Sequence, residues 1–165
     1  MEYLQVFDKN KNVLNEKVSR LEKENLPSGK YFMVILIFIQ NEKGEFLLQK
    51  TSKSRNSCIA TTGGHVTYGY TSIETVIKEC KEELGIDVLK SKISHVSTLQ
   101  DNNCFLETYY TKMELEVDSL ILQKEEVESV RWYTQEEIFD LIKNNKFRNA
   151  NIEPYKNVLY FINSK

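Results

Sequence analysis

Strand-like and helix-like segments alternate along this chain, which predicts an α/β fold of the α+β type with a mixed β-sheet. Three observations carry that prediction. The run "YFMVILIFI" (Tyr31–Ile39) is apolar throughout and rich in β-branched and aromatic residues, as suits a strand buried on both faces. Ile73, Val76, Ile77, Cys80 and Leu84 then repeat at helical spacing. Beyond them, "HVSTLQ", "FLETYYTKMELEV" and "VESVRWY" return to strand-like composition.

The elements follow in order. "YLQVF" and "VLN" flank the turn-forming "DKNKN", predicting an N-terminal hairpin. "SRLEKENLPSGK" is a polar connector ending in Pro27 and Gly29. After the buried strand, "NEKGE" makes a turn into the short strand "FLLQK". Thr71 and Glu74 form a capping box for the helix that follows, and Gly85 stands where its C-terminus needs a left-handed residue. Thr134 with Glu137 opens a second helix at "IFDLIKN", and Pro154 lies in the first turn of a third, "EPYKNVLYFI". Residues 1–165 read as one domain, with 1–29 as hairpin extension and connector and 30–165 as the core.

The 165 residues carry a net charge of −2, which exerts no general pull toward nucleic acid or an anionic membrane. The longest apolar run is far shorter than the ~20 residues a membrane helix needs. The N-terminus lacks the basic and apolar regions of a signal peptide. Cys58, Cys80 and Cys104 cannot all pair and lack metal-ligand spacing. A reduced, cytoplasmic protein acting on small molecules is expected.

The chemistry concentrates in "GGHVTYGYTSIETVIKECKEELGID", Gly63–Asp87. At about 100° per residue, Glu79, Glu82 and Glu83 share one side of the helix. Ile73, Ile77, Cys80 and Leu84 define the expected core stripe, with Glu83 at its edge. Three adjacent carboxylates repel one another, and a hard divalent cation reverses that cost. The plainer alternative is a solvated acidic face offset by Lys78 and Lys81.

This stretch resembles the Nudix box, G-x5-E-x7-R-E-U-x-E-E-x-G-U, where U is a bulky aliphatic residue. Gly64, Glu79, Glu82, Glu83, Gly85 and Ile86 match it. Tyr70 replaces the first glutamate, Lys78 the arginine and Cys80 an aliphatic. The resemblance extends from about Gly29 to the C-terminus. It implies the Nudix fold, a mixed sheet sandwiched between helices, and hydrolysis of a diphosphate linkage, with a nucleoside diphosphate derivative as substrate. It further implies Mg²⁺, or Mn²⁺, held by Glu79, Glu82, Glu83 and the Gly63 carbonyl. Gly64, His65, Tyr70 and Lys78 fall beside the substrate. The general base is one of the box glutamates or Glu126, for which surface charge is the plain alternative.

"YLQVFDKNKNVL", "GEFLLQK" and "TTGGHV" are similar to the branch containing isopentenyl-diphosphate isomerase. That enzyme uses a cysteine where Gly63 stands, and several histidines, of which His65 alone is matched. Of its metal-bearing glutamates, only Glu107 has a counterpart. Isomerase chemistry is therefore not expected. A non-catalytic nucleotide-binding module remains the alternative, motivated by Tyr70 and Lys78. Tyr68, Tyr70 and Phe105 are candidates for stacking a base, and Trp132 and Tyr133 are expected beneath the second helix.

Overall fold

The structure is a computed structural model describing residues 1–165. Its strands and α-helices, in chain order, are β1 (Tyr3–Phe7), β2 (Val13–Ser19), β3 (Phe32–Gln40), β4 (Phe46–Thr51), β5 (Ile59–Ala60), β6 (Thr62–His65), α1 (Ser72–Leu84), β7 (Ser94–Asp101), β8 (Cys104–Lys112), β9 (Val127–Tyr133), α2 (Gln135–Lys143) and α3 (Ile152–Asn163). The expected mixed sheet and its helices are present. No helix is long and apolar enough to cross a membrane.

β3 is the spine. One edge runs parallel to β8 from Phe32 to Gln40. Its other edge meets β4 only at Gln40–Phe46, beside their connecting turn, and then pairs with β6 from Val34 to Ile37. β3 and β4 therefore splay apart. β5 and β6 fill the fork, β5 along β4 and β6 along β3. β9 covers the outer edge of β4, and β7 extends the sheet beyond β8.

β3 can be apolar along nearly its whole length because both of its faces are covered. Met33, Ile35, Ile37 and Ile39 pack with Val76, Cys80 and Leu84 of α1. Leu36 and Phe38 face the other way, toward Ile138 of α2 and Tyr155 and Val158 of α3. Period-two alternation sends successive side chains to opposite helical layers.

Both capping boxes form. Thr71 Oγ1 accepts from the Glu74 amide, and Thr134 Oγ1 from that of Glu137. Gly85 ends α1 at φ 70°, its amide donating to the Cys80 and Lys81 carbonyls. The buried stripe of α1 is rotated from the expected one. Thr75, Val76, Cys80, Glu83 and Leu84 are buried, while Ile77 stays outside the core cluster. Glu83 is thus inside the fold and not at the margin of a stripe.

Other expectations shift. β8 stops at Lys112, and "MELEV" runs on as loop whose Met113, Leu115 and Val117 cover the α1-side core. Tyr133 packs with Ile138 as expected, but Trp132 lies against the α1-side core. Adjacent strand residues cannot share a face. Phe105 is only 4% exposed and packs on Tyr31, so it is unavailable to stack a base.

The hairpin β1–β2 forms its own two-stranded sheet. β1 is nevertheless stitched to the chain leaving β6. The Gln5 amide donates to the Val66 carbonyl at 3.0 Å, and the Tyr68 amide to that of Tyr3 at 2.9 Å. Phe7 and Tyr31 exchange two backbone bonds at 2.8 and 2.9 Å.

Candidate active site

α1 lays its acidic side against β6. The glycine pair, which composition alone allowed to be a tight turn, is extended strand. Its glycines are demanded by proximity. A Cβ on Gly64 would lie 2.6 Å from both Cδ and Oε1 of Glu79, and one on Gly63 would lie 2.4 Å from the Ile35 carbonyl oxygen. The carboxylate of Glu79 occupies the space that a side chain at 64 would take.

Glu83 is 3% exposed. The Gln49 amide on β4 donates to its Oε1 at 3.1 Å, and Thr62 Oγ1 donates to the Gln49 carbonyl oxygen at 3.2 Å. That relay fixes the orientation of the Gln49 amide. Burial, followed by a shared hydrogen bond with Glu79 and its charge, pushes the Glu83 carboxyl well above the usual carboxylate range. Burial also raises Glu79, against the pull of its bond to Glu83 and of Lys78. Glu79 and Glu83 thus both hold a proton more readily than exposed carboxyls do. Glu82 is half exposed, and Lys78 Nζ lies 3.7 Å from Glu79 and 3.8 Å from Glu82.

These groups form one wall of a cleft of ≈ 210 Å³ with no hydrophobic residue in its lining. Gly63, Gly64, His65, Arg55, Gln123 and Glu126 also line it, the Gln123 amide donating to the Glu83 backbone carbonyl at 3.1 Å. The Arg55 guanidinium donates to the Glu126 carboxylate. Arg20 and Glu2 of the N-terminal hairpin complete the rim, joined at 2.8 Å. His65 accepts at Nε2 from the Lys23 ammonium at 2.9 Å. Burial first, then the charges of Arg20, Lys23 and Arg55, drive its pKa down to about 3, so the imidazole is neutral at pH 7. A smaller cavity of ≈ 110 Å³ adjoins on the far side of β6, lined by Gln49, Arg55, Thr61, Arg148 and Asn151 among others.

The NUDIX domain family model matches residues 30–156. This chain belongs to the Nudix family. Two Nudix hydrolases, from Listeria monocytogenes and Listeria innocua, are each 28% identical over 151 residues, covering 89% of this chain and 88% of theirs. The crystal structure of DR0079 from Deinococcus radiodurans shares the fold at TM-score 0.69 and 18% identity, covering 88% of this chain and 91% of that one. Family and relatives make this a hydrolase of diphosphate bonds.

Of the residues expected at the site, the fold gathers Gly63, Gly64, His65, Lys78, Glu79, Glu82, Glu83 and Glu126 around one cleft. Tyr70 falls outside the lining. It is 40% exposed and meets Lys78 through its ring, with the ammonium 5.5 Å from the centroid. A cation–π contact thus stands where the Nudix box pairs glutamate with arginine. As the side chains stand, no three His, Cys, Asp or Glu residues enclose a point where a metal ion would sit. The donor set nevertheless suits a hard divalent cation. It offers carboxylate oxygens and a side-chain-free strand carbonyl, and a cation would offset the crowding of like charge on α1.

Gln49, Arg55, Arg20 and Lys23 were not singled out in the sequence. Gln49 leaves a faint signal, as an amide inside the otherwise apolar "FLLQK". Arg55 and the hairpin cations leave none.

Proposed function

We propose that this Nudix protein is a Mg²⁺-dependent pyrophosphohydrolase that cleaves a diphosphate linkage in a nucleoside diphosphate derivative. The observation that carries the reading is the packing of the Glu79 carboxylate against side-chain-free Gly64, with Glu82 and Glu83 beside it in a wholly polar cleft. Glu79, Glu82, Glu83 and the Gly63 carbonyl would hold Mg²⁺, or Mn²⁺ in its place. When bound, the cation neutralises charge on the phosphate oxygens and acidifies coordinated water.

The chain's own groups supply the rest. Gln49 holds the Glu83 carboxyl in one orientation. Arg55 and Lys78 offer positive charge to phosphate oxygens, each releasing a carboxylate partner to do so. Water attacks one phosphorus, a P–O bond to the bridging oxygen breaks, and a carboxylate takes the proton of the water. Glu126 is the candidate base once Arg55 turns to the substrate.

Isomerase chemistry finds no support. None of the three thiols lines the cleft, and Cys80 is buried in the core with its pKa pushed up to about 12, mainly by burial. Glu107 bonds Lys11, His95 and Thr98 in a different cavity from His65. A binding module is the second reading, favoured by the Tyr70–Lys78 contact.

A panel of nucleoside diphosphates, nucleoside triphosphates and nucleotide sugars, incubated with protein and Mg²⁺, decides between them. Product release from at least one member is expected, abolished by EDTA. Tight binding without any release would favour the module.

A further inference from the structure

We propose that Arg20 and Lys23 form, with Arg55, a cationic clamp for the substrate phosphate that is not attacked. The hairpin extension, outside the matched NUDIX domain of residues 30–156, is thereby part of the substrate site. This rests on the diphosphate-hydrolase reading above.

The hairpin is built onto the site. β1 pairs with Val66–Tyr68, the continuation of the strand that carries Gly63, Gly64 and His65. The Arg20 amide donates to the Glu2 carbonyl at 3.0 Å, and Asn103 Nδ2 donates to the Lys23 carbonyl at 2.7 Å. Both cations thus project from a backbone anchored to the sheet.

Their present partners are weak competitors for a phosphate. Arg20 is bound only to Glu2, and both side chains are more than a third exposed. Such an exposed pair contributes little, whereas a phosphate offers arginine a bidentate partner of higher charge. Lys23 is further from neutralisation. Its ammonium is a quarter exposed, sits 4.9 Å from the Phe32 ring centroid and bonds His65 at 2.9 Å. The nearest carboxylate, Glu24, is 4.0 Å away and turned to solvent. A largely buried ammonium with no carboxylate closer than 4.0 Å favours an anion beside it. Arg55 lines the same cleft as Arg20, and Lys23 meets it through its bond to His65. The cleft thus places Arg20 and Arg55 in the same lining as the carboxylates of α1, as a metal-bound diphosphate requires.

The test is calorimetric titration of methylene diphosphonate, a non-cleavable diphosphate, into protein with saturating Mg²⁺. Arg20→Gln and Lys23→Gln should each weaken binding about tenfold, the worth of one charge-assisted hydrogen bond. On any substrate found in the panel they should raise KM and leave kcat within about twofold. Glu2→Gln supplies the opposite arm, because it frees Arg20 and should tighten binding. A purely structural Arg20–Glu2 bridge would move both variants the same way, and that result overturns the clamp. So would unchanged affinity in Arg20→Gln and Lys23→Gln at parental melting temperatures, or a parent that does not bind the diphosphonate. If the diphosphonate pattern holds while nothing in the panel is cleaved, the clamp stands and the hydrolase reading falls.

Discussion

Adding one methyl group to each glycine of the pair should separate stability from activity. On Gly63 the new Cβ would sit 2.4 Å from the Ile35 carbonyl oxygen and 2.6 Å from Leu36 Cδ2. The first distance is roughly 0.9 Å short of an ordinary C···O approach. The obstacle is the backbone of β3, to which β6 is paired, so the ladder itself has to open. Overpacking of this kind costs about 3 kcal/mol, and at ~2–4 °C per kcal/mol for this size the melting temperature should fall by roughly 6–12 °C. On Gly64 the clash is with Cδ, Oε1 and Cγ of Glu79, the movable end of a side chain. The carboxylate swings away, and stability changes by about 1 kcal/mol or less. Its displacement is on the order of 1 Å, a misplacement that can cost about 100-fold in rate. Gly64→Ala should therefore fold like the parent and lose about two orders of magnitude in kcat/KM, while Gly63→Ala should be visibly destabilised. Thermal unfolding by circular dichroism in EDTA, with Mg²⁺-dependent kinetics on a panel substrate, reads both arms. A fully active Gly64→Ala, or a Gly63→Ala that melts with the parent, would refute the close packing of Glu79 on β6.

Three other outcomes are expected. Glu82→Gln and Glu83→Gln should each weaken Mg²⁺ binding at least about tenfold by calorimetry, since glutamine keeps the shape and loses the charge; metal-free Glu83→Gln should melt no lower than the parent, because it removes a carboxyl whose ionisation burial opposes. Tyr70→Glu with Lys78→Arg should raise kcat/KM by more than the two single changes combined, by rebuilding the Nudix glutamate–arginine pair; a double variant no faster than the parent means the tyrosine–lysine contact already positions Glu79. Burial works to raise the pKa of Glu107, but hydrogen bonds from Lys11, Thr98 and His95 win and hold it below the ordinary 4.5. A lowered carboxylate pKa adds stability above the unfolded-state value and loses it as pH falls through the folded-state value. The melting temperature should thus drop below about pH 4.5. Glu107→Gln should cost about 1–3 kcal/mol at pH 7 and flatten that acid limb; an unchanged limb would show that Glu107 is not its source.

Local signals in the sequence determined the limits of α1 and the set of carboxylates it displays. A capping box spans three residues, a C-terminal glycine acts through its own φ, and helical periodicity places Glu79, Glu82 and Glu83 on one side whatever surrounds them. The apolar length of β3 announced a strand covered on both faces for the same reason, since each side chain alternates without reference to distant chain. The rotation of α1 about its axis was a tertiary matter. Helical spacing put Ile77 in the expected core stripe, but packing under β3 selected Val76 instead, which carried Glu83 inside. Long-range pairing likewise decided the rest of the cleft. Gln49 reaches Glu83 only because β4 diverges from β3, Arg55 meets Glu126 across 71 positions, and Arg20 and Lys23 arrive because β1 docks on the strand leaving β6. None of these partners lies within a helical turn or a strand repeat of the other. Their meeting depends on sheet register and on how one layer sits on the next, and only the assembled fold sets those.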